Sequence, residues 1–507
     1  MRFINSLRNS SLAFAGQIVT ILLGFILRWF FIRAFGQDYL GVNAVMESVL
    51  TLLSMTELGF GTSVAFALYR PIADGDEKRV GSLMAFYRKV YHILGVVTAA
   101  AGILLIPFMR FFTKEATQVA NINLIYLLFL ANTVLSYFFS YKRTLLSAYQ
   151  QNYINSVSDD LFSVVKYLLQ GVAILVFQSY IGYLAVNLVC SLGANFVISA
   201  ICNKKYPLIK RYRREPLLNS DKALLKKSVV SLMFQKISGK LVVGTDNLMI
   251  SYVNIALMGV YSNYAMVIGI IERVVTNVMY AVTGSIGNLM AKGDEAHQYQ
   301  VFEELVFIAF CGFFLISVVL SGCLERFISL FAGTDWVLPP MVTFVVILNF
   351  FLQGSRQPNI AVIDTAGLFN RLRPKAVFEV LANLAVSFLF LVVFKMGIYG
   401  VLFGTTVSKI GVCIWWEAWA VHRYAFRRTG WTYMVKYLRN TAVAAVGCFF
   451  AYFLSENIPF DGFGGLVLAG LGSALVFAVF LAPYCKSVEF RSLLSRFQKK
   501  GGARHAG

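Results

Sequence analysis

Long apolar stretches follow one another along almost the whole of this chain, and no other feature constrains its folding as strongly. A helix needs about 20 apolar residues to cross the hydrocarbon core of a bilayer, where each backbone N–H and C=O must be satisfied within the segment. About fourteen stretches reach that length: 11–34, 42–68, 90–112, 120–141, 159–179, 181–202, 228–253, 257–285, 301–322, 338–363, 376–396, 398–420, 440–456 and 463–484. With 58% hydrophobic and 14% charged residues and a mean hydropathy of +0.69, the composition excludes an ordinary water-soluble domain, whose charged share is nearer a quarter. Arg2 and Arg8 precede the first stretch as they would a secretory signal. Its length, the presence of Arg28 and the lack of a small-residue cleavage site favour a retained span. The expected fold is an all-α polytopic membrane protein of about 14 transmembrane helices.

Polar landmarks recur within this apolar sequence at an offset of 218 residues. Gly41-Val42 returns as Gly259-Val260, and Gly75-Asp76-Glu77 as Gly293-Asp294-Glu295. In the same register Gln17 falls on Gln235, Ala148 on Ala366, Asn152 on Asn370, Gly182 on Gly400, Leu184 on Leu402 and Tyr206 on Tyr424. Each half holds an even number of spans, so both start on the same side and the repeats are parallel. Two such halves are the usual frame of an alternating-access transporter. The expected organisation is a six-helix lobe over 1–202, a basic linker over 203–227, a second six-helix lobe over 228–425, two added helices within 426–485 and a basic tail over 486–507. In that tail Phe490, Leu493, Leu494 and Phe497 follow helical spacing among basic residues, which predicts a short interfacial helix.

The net charge of +20 does not point to nucleic acid, because of where it sits. With a cytoplasmic N-terminus, inner loops and termini hold about 33 of the basic residues and outer loops about five, as the positive-inside rule expects. The linker is the richest segment, with Lys204, Lys205, Lys210, Arg211, Arg213, Arg214, Lys222, Lys226 and Lys227. Most of the excess therefore reports orientation and contact with anionic headgroups. Seven cysteines are scattered without a C-x-x-C pair, as expected of membrane-buried thiols.

Ionisable groups at bilayer depth are costly and mark candidate sites. In the seventh span Gln235, Lys236, Gly239, Lys240, Asp246 and Asn247 share a stripe about 140° wide. The first span carries Gln17 and Arg28 on nearly one face. Arg28 holds the position that Asp246 holds in the other half, and three readings stay open: an ion pair across the lobes, separate roles toward substrate and ion, or pairing of each with a neighbouring helix. Asn43, Glu47, Thr51, Ser54, Glu57 and Gly61 share a face of the second span, and Asn263, Arg273, Asn277 and Ser285 a face of the eighth, with Glu272 off it. Lys166 and Lys409 are expected to reach harmlessly to headgroups. Arg356, beside Gly354 and Pro358, is expected at an interrupted helix facing a cavity. Bases outnumber acids at this depth, which suits an anionic substrate, since a buried phosphate needs Lys or Arg donors. There is no phosphate-binding G-x-x-x-x-G-K-[ST] loop, and the dispersed histidines and cysteines suggest neither a metal site nor an enzyme.

The span plan and several local signatures resemble the polysaccharide-transport branch, the Wzx-like oligosaccharide flippases, of the multidrug/oligosaccharidyl-lipid/polysaccharide flippase superfamily. The signatures are Phe35-Gly36-Gln37-Asp38-Tyr39-Leu40-Gly41-Val42, Glu57-Leu58-Gly59-Phe60-Gly61, Thr245-Asp246-Asn247 and Met258-Gly259-Val260-Tyr261. The resemblance covers nearly the whole chain. It implies a flippase that moves undecaprenyl-pyrophosphate-linked oligosaccharide repeat units to the outer leaflet of a bacterial cytoplasmic membrane, with both termini cytoplasmic, for capsule, exopolysaccharide or O-antigen synthesis. It further implies no cofactor, coupling to an H+ or Na+ gradient, and membrane lipids, a polysaccharide polymerase and glycosyltransferases as partners. By the same likeness the pyrophosphate would meet Arg28, Lys236, Lys240, Arg273 or Arg356, with Gln17 and Gln235 alongside. Asp246, Glu57 and Glu47 are then the candidates for ion coupling.

Three rival functions remain. A lipid II flippase shares the fourteen-span plan, but its detailed signatures are not evident here. A multidrug antiporter of the superfamily usually has twelve spans and an acidic cavity. A membrane glycosyltransferase or polymerase would carry a catalytic carboxylate in a sizeable loop, and the connections around 113–119 and 325–339 are short.

Overall fold

The computed structural model describes residues 2–57, 59–113, 119–292 and 294–494, and among these it is helical with no strand. The helices are α1 (Arg2–Leu53), α2 (Phe60–Ala73), α3 (Glu77–Phe112), α4 (Ile122–Ala148), α5 (Asn152–Leu175), α6 (Tyr180–Lys205), α7 (Leu208–Arg211), α8 (Asn219–Val253), α9 (Ile255–Lys292), α10 (Glu295–Ala332), α11 (Pro340–Ser355), α12 (Gln357–Ala366), α13 (Arg373–Phe388), α14 (Ile398–Ser408), α15 (Trp415–Ala420), α16 (Trp431–Glu456) and α17 (Gly462–Leu481). Wide π-helical turns at Leu389–Val393, Lys409–Ile414 and Val421–Ala425 extend α13, α14 and α15.

Each expected apolar stretch falls on these helices, and ten helical segments among the described residues are long and apolar enough to cross a membrane. The difference from fourteen has local causes. The first stretch and half of the second run together as α1, which bends only at Gly36, where φ of 76° and ψ of −166° suit glycine. A 3₁₀ turn at Ser54–Glu57 and Gly59 at φ 95° then separate α1 from α2. Arg356 divides another stretch into α11 and α12, while α5 and α8 are more polar. The chain is a multi-pass membrane protein.

Two compact units divide the chain, Met1–Gly259 and Val260–Gly507. Within the first, α4 packs on α3 and α6, α5 on α1 and α6, and α8 on α1 and α2. Tyr87, Tyr91, Tyr137 and Tyr141 join Leu83 and Leu145 in a buried core. The basic linker folds back onto this unit. Arg79 Nε donates to Asp221 Oδ2 at 2.9 Å, Tyr212 lies against Gly81, and Leu217 and Leu225 enter the core.

The glycines related by the repeat make one close crossing. A Cβ on Gly41 would collide with the carbonyl oxygen of Ile255, and a Cβ on Gly259 with that of Gln37. Gln37 and Ile255 are themselves separated by the repeat offset. The contact thus reads the same in both directions.

In the second unit α10 packs on α11, α16 and α17. Gly322 lies against Ser473 and Gly447 against Phe314, so small residues let the helices approach closely. Arg326 fastens the turn between α16 and α17, donating from Nε to Ser455 Oγ and from Nη1 to the Phe460 carbonyl, each at 2.9 Å. The tail is helical over 488–494 and docks on this unit. Ser492 Oγ donates to Glu304 Oε1 at 2.6 Å, and Lys436 bridges Glu303 and Glu489. Burial pushes the Glu489 carboxyl up, but hydrogen bonds from Lys436, Ser487 and its own backbone N–H, together with the Lys436 charge, outweigh it and hold the group below its ordinary range. Phe497 lies outside the described residues.

Candidate functional site

The break between α1 and α2 opens a polar cleft inside the first unit. One cavity of about 350 Å³ lies against Ser54, Glu57, Asn132, Arg143, Asp159 and Lys166, among others. A second, of about 480 Å³, adds Glu47 and Lys240 and shares Ser54, Glu57, Asn132 and Thr133 with the first. An uninterrupted helix would keep its backbone bonds to itself. The 3₁₀ turn at Ser54–Glu57 instead brings the Glu57 carboxylate to the cavity, where Oε1 accepts from the Tyr91 hydroxyl at 2.6 Å.

Glu47, Glu57, Arg143, Asp159 and Lys166 each have opposite charges or hydrogen-bond donors around them in this cleft. Asn43 Nδ2 donates to Glu47 Oε1 at 3.0 Å, and Arg28 and Lys166 are the cations acting on Glu47. Arg28, half-buried, lies in the field of Tyr183 and Glu47. Arg143 grips Asp159 with both Nη atoms, at 2.8 and 2.9 Å, and Asn195 Oδ1 with Nε at 3.0 Å. The lining is charge-balanced, with Arg143, Lys166 and Lys240 facing Glu47, Glu57 and Asp159. The basic excess expected from the sequence is not carried by this lining.

Other site candidates fall in different surroundings. Gln17 is half-buried on α1, and Asp246 is buried on α8 beside Asn247, whose Nδ2 donates to Ser48 Oγ at 3.0 Å. The side chains of Gln235 and Lys236 lie outside the described residues. Arg273 is exposed on α9 in the second unit. Arg356 sits at the expected helix interruption, but it is only 4% exposed, and its donors are taken up within the unit. Nε donates to Glu417 Oε2 and Nη1 to Gln353 Oε1, both at 2.9 Å. Lys375 reaches Glu417 at 3.0 Å and Glu379 at 2.9 Å, which makes a buried cluster of two cations and two anions.

Lys166, read from sequence as reaching to headgroups, lines the cavity instead. Sequence reasoning also missed Arg143, Asp159, Asn195, Asn132 and Lys375. A readable signal existed for part of this set. Asp159, Ser163 and Lys166 follow i, i+4, i+7 spacing on α5, as a polar face toward a cavity would.

No protein-family model matches the chain, and no curated protein matches it in sequence. Solved structures do. An inward-facing multidrug resistance MATE family transporter of the MOP superfamily shares 13% identity at a TM-score of 0.66, over 80% of this chain and 94% of that one. The lipid II flippase MurJ, in an inward closed conformation, shares 13% identity at a TM-score of 0.65, over 95% of this chain and 99% of that one. A MOP superfamily transporter from Pyrococcus furiosus, described by the reverse polarity of its binding pocket, shares 12% identity at a TM-score of 0.53, over 82% and 94%. At such identities the likeness is one of architecture: in fold, the chain is similar to the MOP superfamily transporters, MATE proteins and MurJ among them.

Proposed function

We propose that this protein is a flippase carrying undecaprenyl-pyrophosphate-linked oligosaccharide repeat units across a bacterial cytoplasmic membrane, for capsule, exopolysaccharide or O-antigen synthesis. The observation that supports it best is the extent of the likeness to the lipid II flippase, 95% of this chain against 80% for the MATE transporter. A match of that extent leaves about 25 residues outside it, fewer than α16 and α17 hold together, so it takes in at least part of these helices, which lie outside the repeat. Transport then proceeds by alternating access coupled to H+ or Na+. Arg28, Lys236, Lys240 and Arg273, with Gln17 and Gln235, meet the pyrophosphate, while Asp246, Glu57 and Glu47 serve the ion. Arg356 is left out of this set because Glu417 already neutralises it. Glycosyltransferases supply the substrate and a polymerase consumes it.

The likeness to a multidrug resistance MATE family transporter supports one second reading, a multidrug antiporter. Complementation of a strain lacking its oligosaccharide flippase separates the two. The expected result is restored surface polysaccharide and loss of the lipid-linked repeat units that accumulate on the inner leaflet. Arg28→Ala with Arg273→Ala is expected to reduce that rescue at least tenfold. Unchanged transport by the double variant would sink the pyrophosphate assignment, and drug resistance without rescue would favour the antiporter.

A further inference from the structure

Part of the polar lining of this first-unit cavity has no polar counterpart at the repeat offset. At the 218-residue offset Asn132, Thr133, Asp159, Ser163 and Lys166 fall on Phe350, Phe351, Val377, Leu381 and Leu384. Phe350 and Phe351 are buried in the second unit. Apolar residues therefore serve at these five positions of the second half, buried at Phe350 and Phe351 and exposed at Val377 and Leu381. The first half has put hydroxyls, an amide and charges there, at half-buried or exposed positions around the cavity, and polar groups within a membrane-embedded protein are costly unless something satisfies them.

The chemistry of the lining narrows what that something is. Arg143 and Asp159 neutralise each other through two hydrogen bonds, and Lys166 and Glu57 add one charge of each sign. A pyrophosphate would require a surplus of cationic donors. A lipophilic cation would suit apolar walls with surplus acid. Neither surplus is present. What the cavity offers is a set of short neutral donors and acceptors, Ser54, Thr133, Ser136, Ser163 and Ser191 with the amide of Asn132, beside the rings of Tyr137 and Phe162. Asn132 Oδ1 is buried with no hydrogen-bond partner among the described residues. Ser54, Thr133 and Ser136 already donate to backbone carbonyls and offer acceptor oxygens, sugar hydroxyls both donate and accept, and the C–H face of a pyranose packs on an aromatic ring. A volume of about 350 Å³ lies in the range of small-ligand sites.

We infer that this cavity is a subsite for the uncharged saccharide headgroup of the substrate, separate from the groups that hold the pyrophosphate. The inference rests on the flippase reading and adds to it the part of the substrate that the first unit recognises. Saccharide specificity then lies in α4, α5 and α6 of the first unit.

The test uses the full chain in nanodiscs and two probes. Saturation-transfer NMR with chitotriose and maltotriose, which carry neither lipid nor phosphate, reads the saccharide, and binding of undecaprenyl pyrophosphate reads the other half of the substrate. Ser163→Leu installs the residue that the second half carries at this position. It is expected to cut saccharide transfer at least fivefold while leaving undecaprenyl pyrophosphate binding within twofold. Equal saccharide transfer in variant and parent overturns the subsite but leaves the flippase reading standing. So does undecaprenyl pyrophosphate binding by a parent protein that shows no saccharide transfer. If the parent binds neither probe, the flippase reading fails and the subsite with it. Should Ser163→Leu lose both probes, Asn132→Ala, which removes an amide without adding bulk, decides by the same two criteria.

Discussion

Glu417 accepts two hydrogen bonds from Arg356 and one contact from Lys375 in a setting closed to solvent, and its loss would leave two buried cations with Glu379 as the remaining carboxylate of the cluster. Removing one partner of a buried ion pair costs about 3–5 kcal/mol, because the remaining charge has lost its compensation. Glu417→Gln is therefore expected to lower stability by about that amount, measured as a shift in the thermal unfolding of the detergent-solubilised protein. An unshifted transition would show that the cluster is solvated. Arg356 also marks how far single residues can be read from sequence. Its depth, Gly354 and Pro358 announce a helix break, and the break is present. Its partner is 61 residues away, so local pattern carries no sign that the charge is spent. Lys166 is the opposite case: near a helix end it reads as harmless, and only the packing of α4, α5 and α6 turns it toward a cavity.

Among the elements, α1 and the first turn of α9 are held together by what they lack. Gly41 and Gly259 each meet the other segment's backbone with no room for a methyl group, so Ala at either site forces the helices apart. Overpacking of this kind typically costs about 1–3 kcal/mol. Gly41→Ala and Gly259→Ala are expected to cost similar amounts, since the contact is reciprocal, and thermal unfolding of the two variants side by side checks this. A large loss from one and none from the other would count against two-fold symmetry at the crossing. The glycines were legible as repeat landmarks, and their spacing from Gln37 and Ile255 was on the page. That each faces the other's carbonyl was not, because helical periodicity gives the face of a helix but not the neighbour to which it is presented.

For the whole molecule, the distribution of Lys and Arg predicts both termini in the cytoplasm. Cys485 offers a direct reading of this, because it is exposed at the end of α17 while the other cysteines are buried or half-buried. A membrane-impermeant maleimide is expected to label Cys485 in inverted vesicles and not in intact cells, and the reverse pattern would invert the proposed topology. By itself the sequence determined that this chain is a bundle of membrane-spanning helices, and it predicts a repeated plan with basic segments in the inner loops. Those properties follow from apolar length, backbone hydrogen bonding and charge counts, all of which are local. Only the tertiary structure decided which buried charges are already neutralised, that the break at Ser54–Glu57 opens a cavity, and that the lining of this cavity is balanced and rich in hydroxyls. Each of these depends on side chains brought together from distant helices, and long-range electrostatic pairing leaves no periodic trace in the chain that carries it.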